Sequence, residues 1–337
     1  MTAAPAREQP SSFAAAASFL RISALGVTLV VPFLGAASAA TDLPLQWRAI
    51  TTLVTVAVSF HIFGFVINDL VDLPIDRTAG RESSPLVRGT VRPNVALGVA
   101  LAQVPIALAV AWWGAGRPGV VALVVAGALG TAYNVWGKRT AVPPMIDLVQ
   151  GLAWAAFAGF GVAVAGAPGP ATGWLLAFLT VYMMLANGVH GAIRDLRNDA
   201  RHEARTTALF LGARPGPGRT LLLSRRVIAY ALILQGLLTG VAVAAALDAG
   251  TRSQRLASLG LVSALAVAGF GWLATALRCA EEDRLRSAGI VHLILTFLFP
   301  LAFLIPTTPG WLAAVLLACC IVPFLLNGWL GEAVRSA

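Results

Sequence analysis

Apolar segments of membrane-spanning length recur along this 337-residue chain. Hydrophobic residues make up 58% of the sequence and charged residues only 12%, whereas a soluble domain carries roughly 25% charged residues. A helix of about 20 apolar residues crosses the hydrocarbon core of a bilayer, which is about 30 Å thick. Abundant alanine and glycine are typical of helices that pack closely in lipid. The sequence therefore predicts an all-α membrane protein, a polytopic helical bundle.

Hydropathy marks ten candidate spans. They lie near residues 13–40, 48–68, 94–114, 118–136, 145–167, 172–193, 226–248, 256–278, 288–307 and 310–331. We expect a polar N-terminal tail over residues 1–12, one transmembrane domain over residues 13–331 and a C-terminal tail over residues 332–337.

Basic residues are distributed unequally between the two sides of the predicted bundle. With the N-terminus in the cytoplasm, most of the 24 Lys and Arg residues fall in or beside cytoplasmic segments, as the positive-inside rule requires. The net charge of +9 is therefore a topology signal and does not indicate nucleic-acid binding. We expect an integral membrane protein, and the Ala- and Arg-rich composition favours a bacterial cell membrane.

Two acidic clusters each follow a predicted span directly, and both fall on the predicted cytoplasmic face. The first reads NDLVDLPID from Asn68 to Asp76, and the second reads DLRNDARHE from Asp195 to Glu203. Their acidic residues recur every three or four positions, which predicts that each set lies along one face of a helix. Pro74 removes a backbone hydrogen bond, so the first helix is expected to loosen before Asp76. The carboxylates concerned are those of Asp69, Asp72, Asp76, Asp195, Asp199 and Glu203.

Carboxylates at the edge of a bilayer are costly to desolvate unless a cation compensates them. Mg²⁺ accepts one or two carboxylates and leaves positions for substrate phosphate oxygens. We therefore predict that the two clusters face each other and hold a diphosphate through Mg²⁺. The alternative is pairing with nearby arginines, which is common in solvated loops, but it does not account for two similar clusters on one face. The arginines concerned are Arg77, Arg194, Arg197 and Arg201.

Lys138, the only lysine of the chain, lies in the segment YNVWGKR on the same predicted face. Lysine binds phosphate as a point charge and arginine binds it through two hydrogen bonds, so Lys138 and Arg139 are candidate diphosphate ligands. The alternative for Lys138 is an ordinary membrane anchor at the end of a span.

Three polar residues in or beside the spans are candidates for contact with a second substrate. They are Asp147, Asn187 and His190. Asp147 is equally explained as a carboxylate near a helix start, where the helix dipole favours it. His190 is a candidate base, with a hydrogen-bonded structural histidine as the alternative. Five aromatic residues are candidates for the walls of a substrate cavity: Trp154, Phe157, Phe160, Trp174 and Tyr182.

Three segments, NDLVDLPIDR, YNVWGKRT and RDLRNDARHEARTTALFLG, resemble motifs of the UbiA superfamily of intramembrane prenyltransferases in order and spacing. The resemblance is strongest between Phe63 and Gly212. It implies a bundle of about nine helices around a central cavity, with a cap over a mouth that faces the cytoplasm, so that nine or ten spans are expected here.

The resemblance also implies roles for individual residues. Mg²⁺ and the diphosphate would be held by Asn68, Asp72, Asp76, Asp195 and Asp199. Lys138 and Arg139, with Arg77 or Arg205, would bind the diphosphate itself, and Tyr133 would lie near the substrate.

The chain departs from the family pattern in three places. The family often carries Asn-Arg-Pro-Leu-Pro after the first motif, whereas this chain has Ser83-Ser84-Pro85-Leu86-Val87. Arg81 or Arg88 is then the candidate for the missing arginine. Glu203 stands where aspartate is more usual. Four apolar segments follow the second motif where three are expected, so either there is an extra span or one of the last two does not cross.

Three functions compete to explain these features of the sequence. The first is Mg²⁺-dependent transfer of a prenyl group from an isoprenoid diphosphate to an aromatic or other lipophilic acceptor within the membrane. The second is a terpene cyclase on the same scaffold, which would ionise the same diphosphate and let the cation attack a double bond of its own chain. The third is a transporter, but transporters place ionisable residues near the bilayer midplane, whereas the carboxylates here cluster at span ends. The sequence does not predict the chain length of the donor, the acceptor or the oligomeric state.

Overall fold

The computed structural model describes residues 16–17, 19–39, 47–78 and 84–319. Both predicted tails, Arg81 and most of the last predicted span lie outside these ranges. We label the helices α1 to α13 in chain order. They are α1 (Leu25–Ala37), α2 (Trp47–Thr78), α3 (Pro93–Trp136), α4 (Pro143–Ala165), α5 (Pro170–Leu185), α6 (Ala192–Arg194), α7 (Leu196–Arg201), α8 (Thr207–Phe210), α9 (Arg225–Leu247), α10 (Arg252–Arg278), α11 (Glu282–Phe297), α12 (Phe299–Leu304) and α13 (Gly310–Cys319).

Three irregular elements complete the described chain. A 3₁₀ turn over Ile22–Ala24 precedes α1, and another over Ile305–Thr307 follows α12. A π-helical turn over Ala186–Gly191 joins α5 to α6. Strands β1 (Arg214–Pro215) and β2 (Leu221–Leu222) form a short antiparallel hairpin.

Seven helical segments of the described chain are long and apolar enough to cross a membrane, which confirms the predicted helical membrane bundle. The second of them, α3, contains Gly116 in a left-handed conformation, with φ 59°. Glycine tolerates this conformation, which breaks the regular helix and kinks α3 at Gly116. The two halves of α3 correspond to two of the predicted spans. Two shorter apolar helices, α1 and α13, lie next to residues outside the described ranges. The number of spans, nine or ten, therefore stays a prediction.

Glycines allow α1 and α4 to cross at very short range. A Cβ atom on Gly35 would overlap the carbonyl group of Ala158, and one on Gly161 would overlap the carbonyl group of Pro32. Small residues at such crossings let helix backbones approach closely where lipid supplies no hydrophobic driving force. The crossing fixes α1 against the bundle, and α1 follows the turn that contains Arg21.

The variant Gly161→Ala is expected to destabilise the protein by about 1–3 kcal/mol, because an overpacked crossing must move its backbone. Gly159→Ala is the matched control, since a Cβ atom there would meet nothing within 4 Å. Thermal unfolding in detergent, followed by fluorescence-detected size exclusion, measures both variants. Equal melting temperatures for the two variants would contradict the close crossing.

The segment between α5 and α9 is held against one end of the bundle by the connection between α10 and α11. The amide of Leu221 donates to the Ala280 carbonyl at 2.8 Å, and the amide of Glu282 donates to the Arg219 carbonyl at 2.9 Å. The side chain of Arg197 donates to the Thr220 carbonyl at 3.0 Å. These contacts fix the segment that carries the second acidic cluster.

Candidate active site

Helix α2 presents the first acidic cluster without interruption. It continues through Pro74 to Thr78, so the predicted loosening before Asp76 is wrong. Pro74 forfeits only its own hydrogen bond to the preceding turn, and the buried side chains of Leu73 and Asp76 keep the next turn packed. Asn68 and Asp72, one turn apart, line a cavity at this end of the bundle.

The second acidic cluster is not a single helix. Asp195 lies between the short helices α6 and α7, with φ −98° and ψ 3°. Asp199 lies one turn further on in α7, and both residues line the same cavity as Asp72. Glu203 follows the end of α7, is exposed, and has a left-handed φ of 54°. The prediction that Glu203 shares a helical face with the two aspartates is therefore wrong, because the helix ends at Arg201.

The cavity that these clusters share has a volume of about 140 Å³. Its polar lining brings together most of the predicted site: Asn68, Asp72, Tyr133, Asn134, Lys138, Arg139, Asp147, Asn187, Arg194, Asp195, Asp199, Thr206 and Thr207. The two acidic clusters and the lysine thus lie around one opening, although about 60 to 130 residues separate them in the sequence.

Each acidic cluster meets a cation at the cavity. Lys138 Nζ donates to Asp72 Oδ2 at 3.0 Å, and the two side chains are 31% and 17% exposed. Arg194 binds Asp195 through two hydrogen bonds, Nη2 to Oδ2 at 2.7 Å and Nε to Oδ1 at 3.2 Å. Positive and negative side chains therefore lie side by side at the cavity. A diphosphate bound there would contact the cations directly and the carboxylates through a metal ion.

The donor set fits Mg²⁺. Asn68, Asp72, Asp195 and Asp199 supply amide and carboxylate oxygens to one cavity, which are the ligands that Mg²⁺ prefers. Within the described ranges, no three Asp, Glu, His or Cys side chains converge as a ready-made metal cluster. Mg²⁺ is commonly bound through one or two carboxylates plus waters and substrate phosphates, so the arrangement suits an ion that arrives with its substrate.

A larger cavity of about 340 Å³ adjoins the polar one. The two share Asn68, Asp72, Tyr133, Asn134, Lys138, Asn187, Arg194 and Asp195. The remaining lining includes the aromatic side chains of Phe60, Phe63, Phe65 and Trp154. The aromatic part of this lining suits a hydrocarbon chain, and the polar part that the two cavities share suits an anionic head group.

Of the five aromatic residues predicted for the cavity wall, Trp154 lines the larger cavity. Phe157 and Phe160 are fully buried in the helical core, as is most of Tyr182. Trp174 donates its indole hydrogen to Asp248 Oδ2 at 2.6 Å, where α5 begins and α9 ends.

Asp147 and Asn187 reach the polar cavity from two different elements. Asp147 of α4 is buried and accepts a hydrogen bond from the Thr207 hydroxyl of α8. Asn187 belongs to the π-helical turn, and such turns are frequent at functional sites because they redirect side chains. His190 of the same turn contacts His292 Nδ1 through Nε2 at 2.8 Å, inside the bundle. This contact fits the alternative in which His190 is a hydrogen-bonded structural histidine and not a base.

Most of the other predicted residues line neither cavity. Asp76 is buried and lines neither cavity, and Asp69 forms an ion pair with Arg21. Arg77 and Arg205 are exposed and line neither cavity, although the Arg205 amide donates to the Lys138 carbonyl at 3.0 Å. Arg88 is also exposed and outside both linings. Arg139 lines the smaller cavity.

Sequence reasoning missed Arg21, Asn134 and the Thr206–Thr207 pair, and treated Arg194 only as a neighbour of Asp195. Arg21 lines the larger cavity, and its signal was available, since it is the only charged residue between positions 13 and 40. Asn134 donates to the Gly64 carbonyl at 3.1 Å and so ties the lysine segment to α2. In the sequence, only its position next to Tyr133 indicated that Asn134 could belong to the site.

A bundle of apolar helices with an acidic and cationic cavity at one end defines an integral membrane protein with a polar site beside a larger, partly aromatic cavity. The chain matches the UbiA prenyltransferase family over residues 29–284 and belongs to that family. The family resemblance of the three sequence motifs is thereby confirmed. No curated protein sequence matches the chain significantly.

Solved structures share the fold. A UbiA homologue from Archaeoglobus fulgidus bound to GPP and Mg²⁺ is 17% identical, with a TM-score of 0.64 over 86% of this chain and 99% of that one. An apo UbiA homologue from Aeropyrum pernix K1 is 17% identical, with a TM-score of 0.63 over 85% of this chain and 98% of that one. A structure of digeranylgeranylglyceryl phosphate synthase is 15% identical, with a TM-score of 0.64 over 86% of this chain and 96% of that one.

Proposed function

We propose that this protein is a Mg²⁺-dependent prenyltransferase that moves an isoprenoid chain from its diphosphate to a lipophilic acceptor within the membrane. The observation that carries the proposal is the convergence of Asp72, Lys138 and Asp195 on one cavity, directly beside a larger cavity that is partly lined by aromatic side chains. The A. fulgidus homologue of the same fold was solved with GPP and Mg²⁺, which supports this choice of donor and metal.

The residues of the polar cavity would bind the diphosphate and stabilise it as a leaving group. Asn68, Asp72, Asp195 and Asp199 would hold Mg²⁺, and Asp76 and Glu203 stay predicted ligands around them, whereas Asp69 pairs with Arg21. Bound Mg²⁺ would supply electrostatic stabilisation of the charge that develops on the diphosphate. Lys138 and Arg194, which already stand at the cavity beside a carboxylate, would bind the diphosphate oxygens there, and positive charge near the leaving group lowers the barrier to ionisation.

The aromatic part of the larger cavity would hold the hydrocarbon chain and protect the allylic cation. Phe60, Phe63 and Trp154 line it, and aromatic faces attract cations while they exclude water. Tyr133 faces both cavities and would lie where the carbon–oxygen bond breaks. Asp147 and Asn187 would contact the acceptor, because both line the polar cavity from the side of α4 and α5. By the positive-inside rule, the mouth would face the cytoplasm.

A terpene cyclase is the second candidate, since it would use the same ionisation and the same metal site. The feature that favours transfer over cyclisation is the polar lining around Asp147, Asn187 and Thr206. With the diphosphate bound at Lys138 and Arg194, a polar acceptor would pair with these side chains, whereas the hydrocarbon chain of a cyclase substrate would leave them without partners. A transporter is disfavoured, because the acidic residues gather at one end of the bundle and not near its middle.

Purified protein incubated with labelled prenyl diphosphates of several lengths tests these functions. We expect Mg²⁺-dependent product only when a phenolic or other lipophilic acceptor is added, and we expect EDTA to stop turnover until Mg²⁺ is restored. A cyclic hydrocarbon or alcohol formed without acceptor would instead establish the cyclase. No release of diphosphate with any donor, together with identical behaviour of Asp72→Ala, would contradict both.

A further inference from the structure

Three residues on one face of α2, which we call the track, contact Arg21. His61, Phe65 and Asp69 are spaced four residues apart, so they lie on one face of the helix. Each of them contacts a different part of Arg21: His61 its backbone, Phe65 the face of its guanidinium, and Asp69 the edge of its guanidinium. The track therefore fixes both the backbone and the side chain of one cation.

The backbone of Arg21 needs such support. Arg21 has φ 46° and ψ 45°, a left-handed conformation that residues other than glycine adopt rarely. His61 Nε2 lies 3.0 Å from the Leu20 carbonyl oxygen and 3.2 Å from the Arg21 carbonyl oxygen. Carbonyl oxygens only accept hydrogen bonds, so Nε2 carries the hydrogen and donates to this turn.

The opposite edge of the His61 ring is fixed as well. Its Nδ1 lies 2.9 Å from the Thr28 hydroxyl of α1, and in the neutral tautomer this nitrogen accepts that hydrogen. His61 is 2% exposed, so water does not compete for these bonds. The ring thus ties the turn before α1 to the same helix that carries Asn68 and Asp72.

The Arg21 side chain extends from this turn to the site. Its guanidinium carbon lies 5.2 Å from the centre of the Phe65 ring, and Asp69 pairs with one of its nitrogens. Arg21 lines the larger cavity together with Asp72, Lys138 and Arg194. Because Arg21 and Lys138 line the same cavity, Arg21 is placed to act on the same anion as Lys138.

We propose that His61 is a positioning residue, which holds the turn at Arg21 so that the guanidinium stands at the cavity and strengthens binding of the diphosphate. The inference rests on the proposed function, because it takes a prenyl diphosphate as the anion. It also assigns Asp69 of the first motif to Arg21 as its counter-ion. A purely structural His61 would stabilise the fold without acting through Arg21, and this difference can be measured.

The test is a double-mutant cycle on Mg²⁺-dependent binding of geranyl thiolodiphosphate, an inert donor analogue, to the full-length protein in nanodiscs. Arg21→Ala is expected to raise the Kd about tenfold or more, as for the loss of a charge-assisted hydrogen bond. His61→Phe keeps the ring but no hydrogen bonds, and is expected to raise the Kd about fivefold to tenfold by releasing the same contact. His61→Gln retains a donor and an acceptor and is expected to restore most of the affinity.

The decisive result is the coupling between the two sites. If His61 acts through Arg21, His61→Phe adds less than about twofold to the Kd of Arg21→Ala. Effects that multiply, or a His61→Phe protein that binds like the wild type, would overturn the inference while leaving the proposed function intact. A wild-type protein that does not bind the analogue with Mg²⁺ would overturn both. If His61→Phe does not fold, Thr28→Val, which removes only the Nδ1 partner, replaces it in the cycle with the same expected coupling.

Discussion

Asp72→Asn and Asp195→Asn are each expected to lower the rate of prenyl diphosphate turnover by at least about 10²–10³-fold, the loss that follows removal of one electrostatic contact in a preorganised site. The two substitutions keep the size of the side chain and remove its charge. Asp72 lies on α2 and Asp195 lies between α6 and α7, yet both line the same cavity. Release of labelled diphosphate by purified protein, at saturating Mg²⁺, measures the effect.

Asp283→Asn is the matched control for these two variants. Asp283 is 53% exposed, lies on α11 next to the hairpin, and pairs with Arg219 at 2.6 Å, so its loss should leave turnover within about twofold, since exposed ion pairs contribute little. All three proteins should keep the melting temperature of the wild type within a few degrees. A near-normal rate in either Asp72→Asn or Asp195→Asn would refute the assignment, as would an equal loss in Asp283→Asn.

Lys138→Met is expected to have the second largest effect, a loss of about 10²-fold in kcat/KM, typical of a lost charge that stabilises a leaving group. Lys138 is the only lysine of the chain, and it donates to Asp72 at 3.0 Å from the end of α3. Without it, Asp72 loses its cation and the diphosphate loses a point-charge ligand. Lys138→Arg should recover part of the activity, because charge is kept while the reach and shape of the head group differ.

Arg284→Met is the control for the loss of a positive charge near this end of the bundle. Arg284 is 79% exposed and pairs with Glu281 at 3.0 Å. Its loss should leave kcat/KM nearly unchanged, whereas a drop as large as that of Lys138→Met would indicate that net surface charge, and not the site, carries the effect. An active Lys138→Met protein would remove Lys138 from the proposed mechanism.

Much of the site could be predicted from the sequence because its signals are local. The four-residue spacing of Asn68, Asp72 and Asp76 requires only that α2 is a helix, and α2 is long and continuous. The single lysine and the YN pair before it end a span, so hydropathy alone places them at the correct end of the bundle. Residue spacing alone does not show that the two acidic clusters and the lysine segment form one site. The resemblance to the family motifs predicted that they do.

Other parts of the site depend on contacts between distant segments and could not be predicted. The π-helical turn that carries Asn187 packs His190 against His292 of α11, 102 residues away. The left-handed turn at Arg21 depends on His61 of α2, 40 residues further along the chain. The second acidic cluster follows helical spacing in sequence, but its chain turns at Asp195 and again at Glu203. Tertiary packing overrides local pattern at these positions.

The most direct test of the account is an anomalous-diffraction structure of the protein with Mn²⁺ in place of Mg²⁺ and geranyl thiolodiphosphate. The account predicts manganese peaks in the polar cavity, within coordination distance of both Asp72 and Asp195, with the diphosphate between them and Lys138. Manganese bound at one acidic cluster alone, or diphosphate density away from this cavity, would contradict it.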